Sequence, residues 1–288
     1  MVSDKEFVKQ FEKKVKDTIK RFDLISPKDK ILVAVSGGKD STVLLHLLKK
    51  FGYDVDAITV DAVIGRYTEE NLANVRKFCK EQGVKLRVIS FREKFGSSLC
   101  HIQSLLKQKG INLRSCAVCG VLRRYLINKF VRDTKATKVA TGHNASDEAQ
   151  VYLMNLFKNK QEMNARLGPM PGLIRSRLFV PRIKPLYLVT DDEVERYSKI
   201  MKFPVKYGRC PCAFDAYRNY IRDFLNDYKK INPDVHLNIV LHFLKELPKL
   251  RKKFATDKKP NTCTKCGEPA KDKICRTCQI LAHLQESS

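Results

Sequence analysis

Apolar side chains recur along this chain with two alternating periods. Phe7, Val8, Phe11, Val15, Ile19 and Phe22 repeat every three or four positions, which predicts a basic amphipathic helix over residues 4–22 capped by Ser3 or Asp4. Pro27 separates it from Ile31–Val35, a continuous apolar run that reads as a strand, and Thr42–Leu48 returns to the helical period. The alternation then repeats. Strands are expected over 53–60, 84–90 and 138–141, with helices over 68–82 (opened by Thr68, closed by Gly83), 97–107, 116–131 and from the polar loop at 142–148 to about 157. Further on, 186–189 reads as a last strand, 191–201 as a short helix, and 213–230 and 234–253 as two longer helices. Strands alternating with helices at this spacing predict an α/β fold with a parallel sheet, helices on both faces and right-handed crossovers, whose ligand lies at the carboxyl ends of the strands. The expected division is an N-terminal helix (1–28), a nucleotide-binding domain (29–205), a helical region (206–258) and a separate cysteine-rich module (259–288).

The two polar loops carry the chemistry that such a framework would position. Gly37 and Gly38 let the backbone turn without a Cβ, so successive N–H groups and the next helix start point into one concavity of positive potential. Lys39 and the hydroxyls of Ser36 and Ser41 add donors. Asp40 follows the lysine where a Walker A loop carries Ser or Thr, and the spacing is not G-x-G-x-x-G either. Residues 36–41 resemble instead the pyrophosphatase loop of adenine-nucleotide α-hydrolase-like enzymes, which cleave ATP between its α and β phosphates. Thr141-Gly-His-Asn-Ala-Ser-Asp147 repeats the strand, loop and helix arrangement, so Gly142 and Asp147 are expected to face the first loop across a nucleotide. Asp147 could equally cap its helix. His143 is expected to shape the loop rather than transfer protons.

Charge and cysteines narrow the picture further. A net charge of +25 in 288 residues attracts polyanions, a nucleic acid first among them. Arg166, Arg175, Arg177, Arg182 and Lys184, in an irregular stretch over 159–185, read as a phosphate-backbone contact or as a solvated surface loop. No run approaches the roughly 18–20 apolar residues of a spanning helix, and no signal-peptide core precedes the first strand, so a cytoplasmic protein without a membrane partner is expected. Eight of the ten cysteines fall in close pairs, which favours metal or sulfur chemistry over disulfides in a long chain. Cys263, Cys266, Cys275 and Cys278 form two C-x-x-C knuckles and predict structural zinc, with dithiol redox pairs as the alternative. Cys116 and Cys119 share a face at a helix start, and Cys210-Pro-Cys212 lies further along. These suit an iron–sulfur cluster with one open iron, a persulfide carrier with a resolving cysteine, or a second zinc held by all four. Cys79 and Cys100 read as buried packing.

SGGKDS at 36–41, CAVCGVLRR at 116–124, TGHNASD at 141–147, RIKPL at 182–186, CPCAFDAYR at 210–218 and the final cysteine quartet, in that order, resemble the TtcA/TtuA family of tRNA thiolation enzymes across nearly the whole chain. The quartet favours the 2-thiouridine synthetase branch over the 2-thiocytidine enzymes. The resemblance implies an ATP-dependent enzyme that adenylates a uridine C2 oxygen and replaces it with sulfur, using Mg²⁺ and a 4Fe-4S cluster on Cys116, Cys119 and Cys210. Asp147 then matches the catalytic acidic residue, and Arg123 a basic residue one turn after the cluster. Ser36, Gly37, Gly38, Lys39, Asp40, Ser41, Asp61 and Gly142 form the nucleotide-binding set, and Cys212 is an extra thiol. The implied partners are tRNA and a sulfur donor, either a ubiquitin-like thiocarboxylate carrier or sulfide, with a homodimer left open. Two departures stand out: family members often begin with another zinc finger, whereas this chain starts at the helix, and an expected Gly-Tyr-Arg appears as Gly65-Arg66-Tyr67. A lysidine-synthetase-like ligase and a zinc-containing RNA-binding nucleotide sensor are the competing readings.

Overall fold

The computed structural model describes residues 2–174, 176–214, 216–256 and 260–285; Arg175 of the cationic stretch lies outside them. The chain forms α1 (Asp4–Arg21), β1 (Lys30–Ala34), α2 (Lys39–Lys50), β2 (Asp54–Asp61), α3 (Gly65–Glu81), β3 (Leu86–Ser90) and α4 (Phe91–Phe95). It continues through α5 (Leu99–Gln108), α6 (Ser115–Arg132), β4 (Lys138–Thr141), α7 (Ala145–Phe157), α8 (Gln161–Asn164), β5 (Arg182–Ile183) and α9 (Asp191–Ile200). A 3₁₀ turn (Pro211–Ala213) leads into α10 (Arg218–Tyr228) and α11 (Val235–Lys253), and the tail holds β6 (Asn261–Thr262), β7 (Pro269–Ala270) and α12 (Arg276–Gln285).

The sheet runs β3-β2-β1-β4-β5 with every pairing parallel. Alternate residues of β1 enter opposite layers: Ile31 and Val33 pack with Leu44, Leu47 and Phe78 on one face, Leu32 with Ile58, Leu122 and Leu126 on the other. A strand buried on both faces must be apolar throughout, which is why β1 reads as an unbroken run. The chain winds outward from β1 to β3 and then returns to lay β4 on the other side of β1. Such a reversal leaves a crevice at the carboxyl ends of the two central strands.

Ser3 caps α1 through the Glu6 N–H, as expected, and Phe11 stacks on Tyr197 of α9 with ring centroids 4.6 Å apart. Three boundaries differ from the sequence expectation. Helix α3 begins a turn before Thr68, whose hydroxyl accepts from the Ile64 N–H and donates to the Gly65 carbonyl instead of opening the helix. The last strand is Arg182–Ile183, not 186–189, where Leu186, Tyr187 and Val189 are buried through a series of turns. Pro185 has no N–H to donate to a ladder, which ends the strand there. The helix expected from Ala213 starts only at Arg218, after the 3₁₀ turn imposed near Pro211.

The tail docks on the sheet layer rather than standing clear of it. Ile280 of α12 is buried in the core cluster that contains Leu122 and Leu126 of α6. Glu268, 4% exposed, accepts from the Asn128 amide at 2.9 Å and pairs with Arg132, both on the far end of α6. No helix among the described residues is long and apolar enough to cross a membrane.

Candidate active site

Both predicted loops emerge at the β1/β4 crevice. Gly37 has φ +85°, a left-handed conformation that suits glycine, and a Cβ there would lie 2.8 Å from the Asn71 backbone oxygen. The Ser41 hydroxyl, 3.0 Å from the Ser36 N–H and 3.1 Å from the Gly38 carbonyl, closes the turn on itself. Gly142 lies against this turn so closely that an added Cβ would stand 2.8 Å from the Asp40 carbonyl carbon and the Ser41 nitrogen. The two loops are therefore one surface.

Lys39 sits between the carboxylates of Asp40 and Asp191. Burial alone would lower its pKa, but the two carboxylates outweigh burial and raise it. Asp40 is pushed up to about 6 by burial and by the neighbouring charges of Asp191 and Asp147, against the pull of Lys39 and a 2.8 Å hydrogen bond from Asn144. Asp147 does what the capping alternative anticipated: with Asn144 it forms a reciprocal capping box on α7. Its other oxygen accepts from Arg218 at 3.2 Å, so the carboxylate is also tied to the start of α10. His143 bonds the Thr141 hydroxyl at 3.0 Å, in keeping with a loop-shaping role. Asp61 accepts from the Val63 N–H at 2.7 Å at the end of β2.

On the other side of β1 a cleft of about 280 Å³ is lined by Ser36 and Asp61 together with Cys116, Cys119, Arg123 and Cys210. The structure thus brings the first residue of the phosphate loop and the three expected cysteines to one space, whose lining does not include Lys39, Asp40, Gly142 or Asp147. Cys116 lies in the first turn of α6 and Cys119 follows one turn on, so both sulfurs are carried by the start of that helix. Arg123 donates to the Cys119 sulfur at 3.1 Å and to the Val60 carbonyl at 2.6 Å, fixing the guanidinium between strand and sulfur. Cys212 lines the same cleft, and burial with the sulfurs of Cys100 and Cys210 pushes its thiol up to about 12. Cys79 is buried, as expected, but Cys100 is exposed. It sits on the face of α5 opposite Leu99, Ile102 and Leu106, and its partner is Cys212.

The cysteine groups differ in spacing. In the tail all four sulfurs lie within 4.8 Å of one another, and backbone N–H groups of Cys275 and Cys278 point at sulfur. This is the reach of one tetrahedral ion. Among the described residues no other group of three or more His, Cys, Asp or Glu gathers so tightly.

The expected cationic surface is partly internal. Lys184 is buried in an ion pair with Glu148, and Arg251 of α11 donates to the carbonyls of Leu167 and Met170, holding the 166–172 turn instead of facing solvent. Asp191 and the Arg218–Asp147 pairing carry no local sequence signal, because both depend on contacts between distant segments.

A family model described as a PP-loop domain matches residues 6–228. A tRNA-5-methyluridine(54) 2-sulfurtransferase of Pyrococcus horikoshii is 33% identical over 277 residues, covering 96% of this chain and 86% of that protein. Its Thermotoga maritima counterpart is 32% identical, covering 98% and 90%. The solved U34-tRNA thiolase NcsA from Methanococcus maripaludis, with its 4Fe-4S cluster, is similar with a TM-score of 0.79 at 26% identity, covering 99% of this chain and 89% of that one.

Proposed function

The chain belongs to the PP-loop family, in the branch of the tRNA thiolation enzymes, and from that premise we propose that it is an ATP-dependent tRNA 2-thiouridine synthetase. One observation carries the reading: Ser36 of the phosphate loop and the three cysteines Cys116, Cys119 and Cys210 line a single cleft. Activation and sulfur delivery need to meet at one carbon, and this cleft has both chemistries on its walls.

A carbonyl oxygen is a poor leaving group, so the uridine C2 oxygen is first joined to AMP. Residues 36–41 hold the ATP phosphates through backbone N–H groups and hydroxyls, and Lys39 neutralises the departing pyrophosphate; Mg²⁺, which a carboxylate such as Asp147 would help hold, would supply further positive charge there. A triphosphate competes with Asp40 and Asp191 for Lys39. Charge-assisted contacts of this kind contribute about 1.5–3 kcal/mol each. Gly142 and the Asp147 carboxylate form the second wall, and Asp61 closes the nucleotide side. Asp147, already shared between its helix cap and Arg218, orders the nucleotide or its Mg²⁺.

Cys116, Cys119 and Cys210 would hold a 4Fe-4S cluster, which supplies a site for the incoming sulfur when bound. Arg123 orients Cys119 through its hydrogen bond to the sulfur. The tail quartet holds structural zinc. The sulfur comes from a ubiquitin-like thiocarboxylate carrier or from sulfide, and the reaction takes place in the cytoplasm.

The test is anaerobic incubation of the cluster-loaded chain with unmodified tRNA, ATP and sulfide, followed by mass analysis of nucleosides. A 2-thiouridine derivative, with AMP released in step, is expected. AMP release without any sulfur-containing nucleoside would favour the amidating-ligase reading, and tRNA binding without AMP release the nucleotide sensor.

A further inference from the structure

We infer that the outward aromatic face of α10 is a stacking platform for bases of the RNA substrate that flank the nucleotide entering the cleft. The inference rests on the tRNA reading above. Tyr220, Phe224 and Tyr228 are spaced four apart, which puts three rings on one stripe of the helix. They are 72%, 55% and 44% exposed, and Phe214, just ahead of the helix, is 84% exposed. The inward stripe, Ile221 and Leu225, already supplies the packing against Ala145, Ala149 and Val240. The outer rings therefore contribute little to the fold. Phe224 and Tyr228 are nevertheless ordered against each other, with centroids 6.2 Å apart and planes inclined by 22°.

Position argues for the substrate as the occupant. Helix α10 follows directly on the turn that carries Cys210 and Cys212, and the Asn219 amide ties it to the Ala213 carbonyl at 2.8 Å. At the same end Arg218 reaches Asp147. Whatever covers the outer face lies beside the mouth of the cleft. An RNA whose base enters the cleft would bring its flanking nucleotides to this end of the helix, where a second protein copy would crowd it.

Chemistry argues the same way. The carboxylates of α10 are neutralised within the protein, Asp223 by Arg209 at 3.4 Å and Asp227 by Lys230 at 2.9 Å, so the helix presents little uncompensated negative charge to an RNA. Exposed aromatic faces accept unpaired bases of any sequence, and their partner strand is drawn in by the overall charge of +25.

The experiment is equilibrium binding of unmodified tRNA to the full chain without ATP, by fluorescence anisotropy over a series of salt concentrations. Tyr220→Ala and Phe224→Ala are each expected to weaken binding about tenfold, with the salt dependence unchanged because stacking carries no net charge. Phe224→Tyr should restore affinity, and thermal melts should show every variant folded as the parent. If the parent binds tRNA and the double Tyr220→Ala, Phe224→Ala variant binds equally well, the platform is refuted. Sedimentation that finds a dimeric parent and a monomeric Phe224→Ala variant would also overturn it, making the face a contact between copies. A parent chain that binds no tRNA would instead remove the tRNA reading on which the inference stands.

Discussion

Replacing Gly142 by alanine probes the contact between the two loops directly. The new Cβ would lie 2.8 Å from the Asp40 carbonyl carbon and the Ser41 nitrogen and 3.0 Å from the Asp40 oxygen. Non-bonded carbons prefer about 3.5–4.0 Å, so one loop must retreat by more than half an ångström. All three atoms belong to backbone at the start of α2 and cannot rotate away as a side chain would. Overpacking of this kind costs about 1–3 kcal/mol, and at about 2–4 °C per kcal/mol the melting temperature should fall by several degrees. If ATP needs the undisplaced loop, binding must restore it against the same cost, which weakens affinity about 5- to 150-fold. Gly38→Ala is the comparison. Its Cβ would meet only the Ser36 hydroxyl, at an ordinary 3.5 Å, so the fold should lose less than about 0.5 kcal/mol. Calorimetric titration with Mg-ATP and a thermal melt read both variants. A Gly142→Ala protein that melts like the parent would refute the loop contact; one that melts early but binds ATP normally would remove Gly142 from the nucleotide wall.

Other consequences are equally direct. Asp40 titrates near 3.8 when unfolded and at about 6 in the fold, so between those values the native chain keeps a proton that the unfolded chain has lost. Stability from this group therefore declines as pH rises from about 4 to 6; urea titrations should show the parent losing ground to Asp40→Asn over that window, and a constant difference would contradict the assignment. Glu268→Gln removes the charge from its bonds to Arg132 and Asn128 and should cost about 1.5–3 kcal/mol, with faster amide exchange in 260–285 and the far end of α6. Metal analysis should find one zinc per chain, lost in Cys275→Ser, while Cys116→Ala should keep the zinc and lose the iron. Loss of both metals in Cys116→Ala would mean that the two sites are not independent.

What could be read in advance was local. The Ser36–Ser41 turn, its flanking strand and helix, the Ser3 cap and the tail knuckles all follow from residues close together in the chain. The 186–189 reading failed because buried apolar side chains look alike in a strand and in a packed turn, and only the partner of each N–H separates them. Cys100 read as core because its neighbours Leu99 and Ile102 are core; one position on a helix turns the side chain by about 100 degrees, away from them. Asp191, Arg218 and the bond from Arg123 to Cys119 depend on how helices end against one another. Lys184 reads as a phosphate contact or a solvated charge from its own stretch, and only its partner Glu148, 36 residues away, makes it internal.

Helix α6 has its two ends committed to different parts of the molecule: Cys116 and Cys119 open it in the cleft, and Asn128 and Arg132 close it against Glu268 of the tail. During synthesis the first end leaves the ribosome well over a hundred residues before the tail that seats the second. Until Glu268 and Ile280 arrive, α6 lacks part of its apolar cover, and the cleft has a wall with one loose hinge. Seating of the tail thus acts as the closing stitch of biogenesis, and a chain whose tail has not yet docked should keep a looser cleft wall.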